Sequence, residues 1–154
     1  MISDDDYNYM QLALEEAKKA FARDEVPIGA VIVDPQRGDV VAAAGNRTRE
    51  YNDPTAHAEV LAIRAACEKQ GAQRIPDLDL YVTLEPCAMC AGAISFARIR
   101  RLVIGAGDAK GGGVLHGGRF YDQKTCHHRP DVAHDVLADD CGQILKEFFK
   151  QKRG

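Results

Sequence analysis

The residues of this chain that could do chemistry are one histidine, one glutamate and two cysteines. His57 and Glu59 stand in the string His-Ala-Glu, and Cys87 and Cys90 form a Cys-x-x-Cys pair directly after Pro86. Imidazole and thiolate groups are favoured ligands of Zn²⁺, and three protein ligands leave one position of a tetrahedral ion open for water. Because an open position is typical of catalytic zinc, the sequence predicts a catalytic zinc bound by His57, Cys87 and Cys90.

Glu59 is predicted to act as a general acid and base beside that metal. It stands two residues after His57, close enough to serve a zinc-bound water without ligating the ion. Zinc lowers the pKa of its bound water from about 16 to about 7. A carboxyl group could then carry protons from that water to the ring nitrogen and the leaving amine of a substrate. The alternative is a first-turn carboxylate that only favours the helix dipole.

The combined pattern His-x-Glu and Pro-Cys-x-x-Cys is the signature of zinc deaminases that act on nucleobases. Such enzymes hydrolyse the exocyclic amino group of an aminopurine or aminopyrimidine and release ammonia. A Cys-x-x-Cys pair alone would be typical of a redox motif or of half a structural zinc site. The full pattern favours hydrolytic deamination over both of these alternatives.

Composition and charge limit the other possibilities. The chain has 154 residues, of which 45% are hydrophobic, and this suits one globular domain over 1–154. A net charge of −3 gives no overall positive field, so binding of a nucleic acid would need a local basic patch. The acidic N-terminus lacks the features of a signal peptide, and no apolar run reaches transmembrane length. We therefore predict a cytoplasmic protein without membrane association, in which free thiols are stable.

The elements that position the site follow from hydrophobic periodicity and turn signals. We predict helices at about 3–24, 56–70, 86–97 and 137–152, and strands at 29–33, 40–44, 78–84, 101–105 and 131–136. The apolar stripe of the first helix is assigned to Met10, Leu12, Leu14, Ala17 and Phe21. The alternation of strands and helices predicts an α/β domain with helices on both faces of one mixed sheet. In this arrangement two helix N-termini meet at the metal, where their partial positive charge favours thiolates.

Segment 107–130 is predicted to be a long, glycine-rich loop, and loops of this length are usually functional. Cys126 stands there beside His127 and His128, which raises the alternative of a second metal site. We favour an ordinary loop, because no further ligand stands nearby. Cys67 and Cys141 lie in helical patterns and are expected to be buried as small apolar residues.

Beyond these motifs, the chain resembles bacterial tRNA-specific adenosine deaminases along nearly its whole length. The similar segments are DEVPIGAV at 24–31, Asn46, DPTAHAE at 53–59, LYVTLEPC at 80–87, GDAK at 107–110, and parts of 137–150. The resemblance implies a cytidine deaminase-like fold, with three α/β/α layers around a mixed five-stranded sheet. It further implies deamination of adenosine to inosine at the wobble position of a tRNA anticodon stem-loop, by a homodimer with one Zn²⁺ per subunit.

The same resemblance implies a set of substrate contacts. Asn46 and the Ala58 backbone would read the flipped base, Ile28 and Leu84 would wall the pocket, and Asp108 would contact a sugar of the anticodon loop. Two departures from the family pattern concern the long loop. Three glycines stand at 111–113 where Thr-Gly-Ala is common, and His127 stands where Asn is common, which affects RNA contacts and not the chemistry.

The C-terminal tail is the local basic patch expected to bind RNA. From Lys146 to Arg153 it carries four cations, one acid and the rings of Phe148 and Phe149. Adjacent residues of a helix point about 100° apart, so one ring should pack inward while the other stacks on an unpaired base. Lys150 and Arg153 are expected to contact the RNA. The alternative places both rings at the core edge, with the cations merely favouring the helix C-terminus.

Two other functions stay open at this point. The first is deamination of a free nucleobase or nucleoside of the guanine or cytosine type, which the zinc motif does not distinguish from an RNA substrate. The second is a non-catalytic RNA-binding module with structural zinc, against which Glu59 and the three-ligand set argue. Arg98, Arg100 and Arg101 form a basic cluster that could meet phosphate across a dimer interface or equally be a solvated turn.

Overall fold

A computed structural model describes residues 2–153 of the chain. The strands are β1 (Gly29–Asp34), β2 (Asp39–Gly45), β3 (Asp79–Leu84), β4 (Arg101–Ala106) and β5 (Asp131–Ala133). The helices are α1 (Asp4–Ala22), α2 (Ala58–Gln70), α3 (Ala88–Ala97) and α4 (Ala138–Arg153), with a 3₁₀ turn at Phe120–Asp122. Among the helices of the described residues, none is both long enough and apolar enough to cross a membrane.

The five strands form one mixed sheet in the order β2-β1-β3-β4-β5. Strand β1 pairs antiparallel with β2 and β3, whereas β3, β4 and β5 run parallel. Because successive side chains of a strand point to opposite faces, the sheet feeds two core clusters. One cluster contains Ile32 and Leu80 beneath α2 and α3, and the other contains Val31 and Val103 beneath α1 and α4. The predicted three-layer α/β/α fold with a mixed five-stranded sheet is confirmed.

Several predicted details of these elements are wrong. Strand β5 ends at Ala133 instead of 136, since Asp135 has a positive φ of 65°, outside the range of an extended strand. Leu12 is 43% exposed on the outer face of α1, and Ala13 is buried in its place. Ala13 follows Met10 by three residues and so lies on the same face of the helix. Cys141 is fully buried as predicted, but Cys67 is only partly buried.

Helices α2 and α3 both begin two residues later than predicted. His57 is therefore the N-cap of α2 and Cys87 the N-cap of α3, each with extended backbone angles. Pro86 precedes the cap and lies outside the first turn. Neither His57 nor Cys87 makes a side-chain capping hydrogen bond. Their side chains are thus directed away from their own helix ends, toward a shared point.

The basic cluster expected after α3 is engaged within the fold. Arg100 donates two hydrogen bonds to buried Asp79, at 2.8 and 2.5 Å, and Arg101 donates two to buried Asp6, at 2.6 and 3.0 Å. Burial alone would raise the pKa of Asp6, but the hydrogen bonds that it accepts, above all from Arg101, hold that pKa well below its usual range. These pairs tie α1 and β3 to β4, while Arg98 donates to the Ser95 carbonyl at 3.0 Å and the Arg100 side chain stays 48% exposed.

Candidate metal centre and catalytic site

His57, Cys87 and Cys90 converge where α2 and α3 begin. The Nδ1 atom of His57 lies 3.7 Å from the Cys87 sulfur and 3.4 Å from the Cys90 sulfur. All three ligand atoms lie within 4.8 Å of one another, and no other group of this kind occurs among residues 2–153. The structure identifies Nδ1 as the ring nitrogen that faces the sulfurs. This group could hold a metal ion.

The charges of these three side chains are coupled. Hydrogen bonds with Cys90 and then with His57 lower the pKa of Cys87 to about 3. The hydrogen bond with Cys87 in turn raises the pKa of His57. For Cys90, the hydrogen bond with Cys87 and the burial of the thiol both raise the pKa. The protein alone thus favours one thiolate, and a metal ion would let both thiols ionise, because coordination deprotonates a thiol outright.

Glu59 lies in the first turn of α2 and is 4% exposed. Burial raises the pKa of its carboxyl group to about 7. The carboxyl group interacts with the thiol of Cys90 but does not belong to the group of ligand atoms. General acids and bases work best when their pKa lies near the operating pH, which this environment provides. The geometry therefore suits proton transfer next to a metal.

Asn46 and Ala58 lie against each other at the start of α2, and both are buried. The Oδ1 atom of Asn46 accepts a hydrogen bond from the Ala58 N–H at 2.9 Å, and so supplies the helix cap that His57 does not. The Nδ2 group of Asn46 takes no part in that bond. A base could bind the Ala58 N–H only in exchange for the bond to Asn46, which changes the predicted role of that backbone group.

Ile28 and Leu84, the two predicted pocket walls, pack against different core clusters. Ile28 is partly buried against the cluster beneath α2 and α3, and its carbonyl accepts the Asn46 N–H at 3.2 Å. Leu84 is partly buried against the cluster beneath α1 and α4. Ile28 is therefore next to a residue of the site, whereas the core contacts of Leu84 lie on the other face of the sheet.

Asp108 begins the glycine-rich part of the long loop. Its Oδ1 atom accepts hydrogen bonds from the N–H groups of Lys110 at 3.1 Å and Gly111 at 3.0 Å. Its own N–H donates to the carboxylate of Glu85 at 2.9 Å. One carboxylate oxygen of Asp108 thus closes a turn. Sequence reasoning missed Glu85, and the available signal was an acidic residue placed directly after the apolar run of β3.

The rest of the long loop is held by local contacts. Cys126 is buried and donates to the His128 carbonyl at 3.1 Å, and His128 donates through Nε2 to the Ile99 carbonyl at 2.7 Å. Residue Ile99 directly follows the cap of α3, so these bonds fasten the loop to that end of the helix. His127 is exposed. Cys126 and His128 thus both hydrogen-bond to backbone carbonyl groups and hold the loop in place.

The two adjacent rings of the tail differ in burial. Phe148 is 5% exposed and packs edge-on against Phe21, with ring centroids 5.5 Å apart, whereas Phe149 is 44% exposed. The prediction that one ring packs inward and the other faces outward is confirmed. Phe148 is corrected as a substrate contact, because its ring fills the space between α1 and α4. Phe149 alone keeps that predicted role.

The C-terminal end of α4 lies beside the loop 46–57 that leads into the site. Asp24 forms an ion pair with Lys152 of α4, and a second one with Arg49 of the loop at 2.5 Å. The backbone N–H of Arg49 donates in turn to buried Glu25 at 3.1 Å. One network of charges therefore joins the tail to the segment that carries Asn46.

Known proteins similar to this chain are deaminases. A family model of MafB19-like deaminases matches residues 4–153. The chain is 60% identical over 146 residues to the tRNA-specific adenosine deaminase of Agrobacterium fabrum, with 95% of each chain covered. It is 44% identical over 151 residues to the tRNA-specific adenosine deaminase of Haemophilus influenzae, which covers 98% of this chain and 87% of the relative.

Solved structures give the same picture. A structure from work on A-to-I editing by tRNA:A34 deaminases at the wobble position of transfer RNA superposes with a TM-score of 0.87 and 60% identity. The match covers 90% of this chain and 99% of that one. Guanine deaminase from Nitrosomonas europaea superposes with a TM-score of 0.81 at 23% identity, over 96% of this chain and 85% of its own. That second likeness shows a shared fold alone.

Proposed function

This chain belongs to the family of tRNA-specific adenosine deaminases, and from this premise we propose that it converts adenosine to inosine at the wobble position of a tRNA anticodon. The observation that carries the proposal is the convergence of His57, Cys87 and Cys90 beside the buried carboxyl group of Glu59. Free thiols at all five cysteines and a tRNA substrate both suit the cytoplasm, where we place the activity.

The donor set fits Zn²⁺, one ion per subunit. With Zn–N near 2.0 Å and Zn–S near 2.3 Å, tetrahedral geometry separates nitrogen from sulfur by roughly 3.6 Å. The corresponding separations here are 3.7 and 3.4 Å, from Nδ1 of His57 to the sulfurs of Cys87 and Cys90. When bound, the zinc supplies an activated water as the nucleophile.

Glu59 moves the protons in this proposal. Burial raises the pKa of its carboxyl group above the ordinary value, which favours a group that both accepts and donates protons. It accepts one proton from the attacking water and delivers it to the ring nitrogen of adenine, then accepts the remaining proton of the added hydroxyl group and delivers it to the departing amine. The C–N bond to the amino group breaks and ammonia leaves. The ring carbon that carried the amino group becomes a carbonyl carbon. One carboxyl group suffices, since each pair of transfers restores its starting state.

The remaining predicted contacts hold the substrate. Asn46 would offer its Nδ2 group to the base, because its Oδ1 atom is engaged by the Ala58 N–H. Ile28, which packs next to Asn46, would supply an apolar wall, and Leu84 could do so only from the end of β3, since its core contacts lie on the other face of the sheet. Asp108 would contact a sugar of the anticodon loop through Oδ2, since Oδ1 closes the local turn.

Inosine formation is the direct test. The enzyme is offered a tRNA anticodon stem-loop with adenosine at the wobble position, and in parallel free adenine, guanine, cytosine and their nucleosides. We expect inosine at the wobble adenosine and turnover of the free compounds lower by orders of magnitude. Faster turnover of a free base would contradict the proposal and identify a small-molecule deaminase.

The exposed part of the tail is proposed to select RNA over a free base. Phe149 is 44% exposed, and Lys150 and Arg153 are exposed beside it. Stacking of a base on an aromatic ring contributes about 1–3 kcal/mol, so Phe149→Ala should weaken stem-loop binding roughly 5- to 150-fold. Deletion of 150–154 should do the same and also reduce the salt dependence of binding, because phosphate contacts are lost. Stem-loop KM and Kd at several salt concentrations measure both effects.

The neighbouring ring and a remote side chain serve as controls for the tail. Phe148→Ala empties a core site and should lower Tm, while Phe149→Ala should leave Tm nearly unchanged. Leu12→Ala removes an equally exposed apolar side chain from α1 and should alter neither Kd nor Tm appreciably. A truncated enzyme that binds the stem-loop as tightly as the intact chain would contradict the role of the tail.

A second copy of this chain is proposed to cover an apolar groove between α2 and α3. The groove is lined by Val60, Ile63, Arg64, Gln73, Arg74, Ala93, Phe96, Ala97 and Arg98. Phe96 of this lining is 72% exposed, more than any other exposed large apolar side chain of residues 2–153. A twofold dimer uses the same patch on both subunits, so the apolar side chains of the two grooves would cover one another. Met89, 38% exposed between the two cysteines, stands seven residues before Phe96 and thus on the same face of α3.

Phe96→Asp should convert the dimer to a monomer and lower kcat/KM for the stem-loop. An aspartate in this interface would be buried without a partner, a costly arrangement. Sedimentation at assay concentrations measures the state of association. Leu12→Asp makes the same kind of change on α1 and should leave the dimer intact. A wild-type chain that sediments only as a monomer, or a dimeric Phe96→Asp variant, would contradict this interface.

A further inference from the structure

Glu85 is the most heavily hydrogen-bonded carboxylate near the site and takes no part in the chemistry described above. It follows β3 directly, is 3% exposed, and stands two residues before Cys87. It accepts five hydrogen bonds, from the N–H groups of Asp108 (2.9 Å), Val114 (3.2 Å), Leu115 (2.8 Å) and His116 (3.0 Å) and from Nδ1 of His116 (2.6 Å). All these donors belong to one short segment, 108–116, which lacks regular secondary structure.

Glycines bring this segment into contact with the start of the metal-binding helix. A Cβ on Gly112 would lie 2.2 Å from the Glu85 carboxylate, and a Cβ on Gly113 would lie 2.7 Å from the Ala88 nitrogen. The Gly113 N–H also donates to the Pro86 carbonyl at 2.8 Å. Only a residue without a side chain fits such approaches. Gly112 and Gly113 therefore stand at the contact between the segment and the start of the metal-binding helix, whereas a Cβ on Gly111 would meet only Asp108.

We propose that Glu85 is a positioning residue for the RNA substrate, which fixes segment 108–116, and through it Asp108, beside the metal centre. The segment lacks the regular backbone hydrogen bonds of a helix or strand. The Glu85 carboxylate satisfies four of its backbone N–H groups instead, through two oxygens. Bonds to an ionised acceptor are about twice as strong as neutral ones. The inference rests on the proposed function, since it concerns how that substrate is held.

The two oxygens of Glu85 serve different parts of the segment. Oε2 accepts the N–H groups of Val114, Leu115 and His116, whereas Oε1 accepts the Asp108 N–H and the His116 ring. A glutamine offers only one oxygen. Three converging donors will hold that oxygen at the Oε2 position, and its NH₂ group then faces the Asp108 N–H. Glu85→Gln is thus a selective change. It keeps the three hydrogen bonds to Oε2 and removes the acceptor of the Asp108 N–H group.

We expect Glu85→Gln to keep its zinc and its fold. The stem-loop KM should rise roughly tenfold, while kcat should change less than threefold. Misplacement of a substrate contact by about 1 Å can lower catalytic efficiency by up to 10²-fold, so a tenfold effect lies within that range. Amide hydrogen exchange should accelerate at 108–111 more than at 114–116. A purely structural role would lower Tm without this division between KM and kcat. Glu68→Gln, an exposed carboxylate on α2, is the matched control and should change none of these quantities.

A double-mutant cycle tests the route through Asp108. If Glu85 acts through Asp108, then Glu85→Gln should add less than about twofold to the loss of kcat/KM caused by Asp108→Ala. Combined with Phe149→Ala, which changes the tail, the two losses should multiply. Should Glu85→Gln fail to fold, His116→Ala removes one donor from a half-exposed side chain and is expected to raise KM about threefold in the same direction.

The outcomes separate this inference from the proposed function. Wild-type KM in folded Glu85→Gln and His116→Ala variants would overturn the positioning role, as would losses that multiply with that of Asp108→Ala. Wild-type enzyme that forms no inosine from the stem-loop would instead overturn the proposed function. The inference is supported if Glu85→Gln raises KM in the otherwise wild-type enzyme, adds little to the loss caused by Asp108→Ala, and leaves the zinc content unchanged.

Discussion

Replacement of Glu59 by alanine is expected to lower the rate of inosine formation by roughly 10²- to 10⁴-fold while zinc stays bound. The substitution removes the carboxyl group that moves protons, but none of the three ligand atoms that converge on the metal position. Single-turnover inosine formation on the stem-loop measures the chemical step, and metal analysis of the same preparation measures the zinc content.

Two further variants separate proton transfer from packing. Glu59→Gln keeps the size of a side chain that is only 4% exposed, yet cannot accept a proton, and should lose as much activity as alanine. Glu68→Ala, exposed at the other end of α2, should behave as wild type. A Glu59→Ala enzyme that stays active, or that loses its metal, would show that the role assigned to Glu59 is wrong.

Replacement of Cys90 by alanine is expected to abolish both zinc binding and activity. Only three side chains of the described residues converge on the metal position, so removal of one leaves two ligands for an ion that otherwise has four-coordinate geometry. Without the metal, no activated water is available for attack on adenine. Metal analysis of protein purified without added metal should give one zinc per wild-type chain and far less for the variant.

Cys67 provides the control for this change. It lies in α2, is partly buried and does not belong to the group of metal ligands, so Cys67→Ala should keep its zinc and its rate. Removal of zinc from wild-type enzyme by a chelator should stop inosine formation, and added zinc should restore it. Full activity at a zinc content well below one per chain would contradict the zinc mechanism.

Local sequence patterns predicted most elements of the fold to within a few residues. The run at 29–33, the apolar stretch at 78–84 and the glycine stop of α2 at Gly71 each reflect a preference of neighbouring residues alone. The errors arose where the backbone follows other rules. Strand β5 is shortened by the positive φ of Asp135, and α2 and α3 start later because their first predicted residues cap or precede the helix.

The sequence by itself determined which side chains could bind zinc and which carboxyl group could serve it. Ligand type is a property of each residue, and the spacing of Cys87 and Cys90 on a helix start is local. Helical geometry likewise implied that one of the two adjacent rings of the tail faces outward. Only the packing of α4 on the domain decided that this ring is Phe149 and not Phe148.

Only the tertiary structure decided how the remaining polar groups are used. Asn46 turns its Oδ1 atom to Ala58, Arg101 binds a carboxylate 95 positions away, and Glu85 gathers donors from 23 to 31 positions along the chain. Each of these bonds joins elements that no local preference brings together. Their partners are set by the order of the strands and the packing of helices on the sheet, because a buried polar group binds whichever partner the fold places within reach.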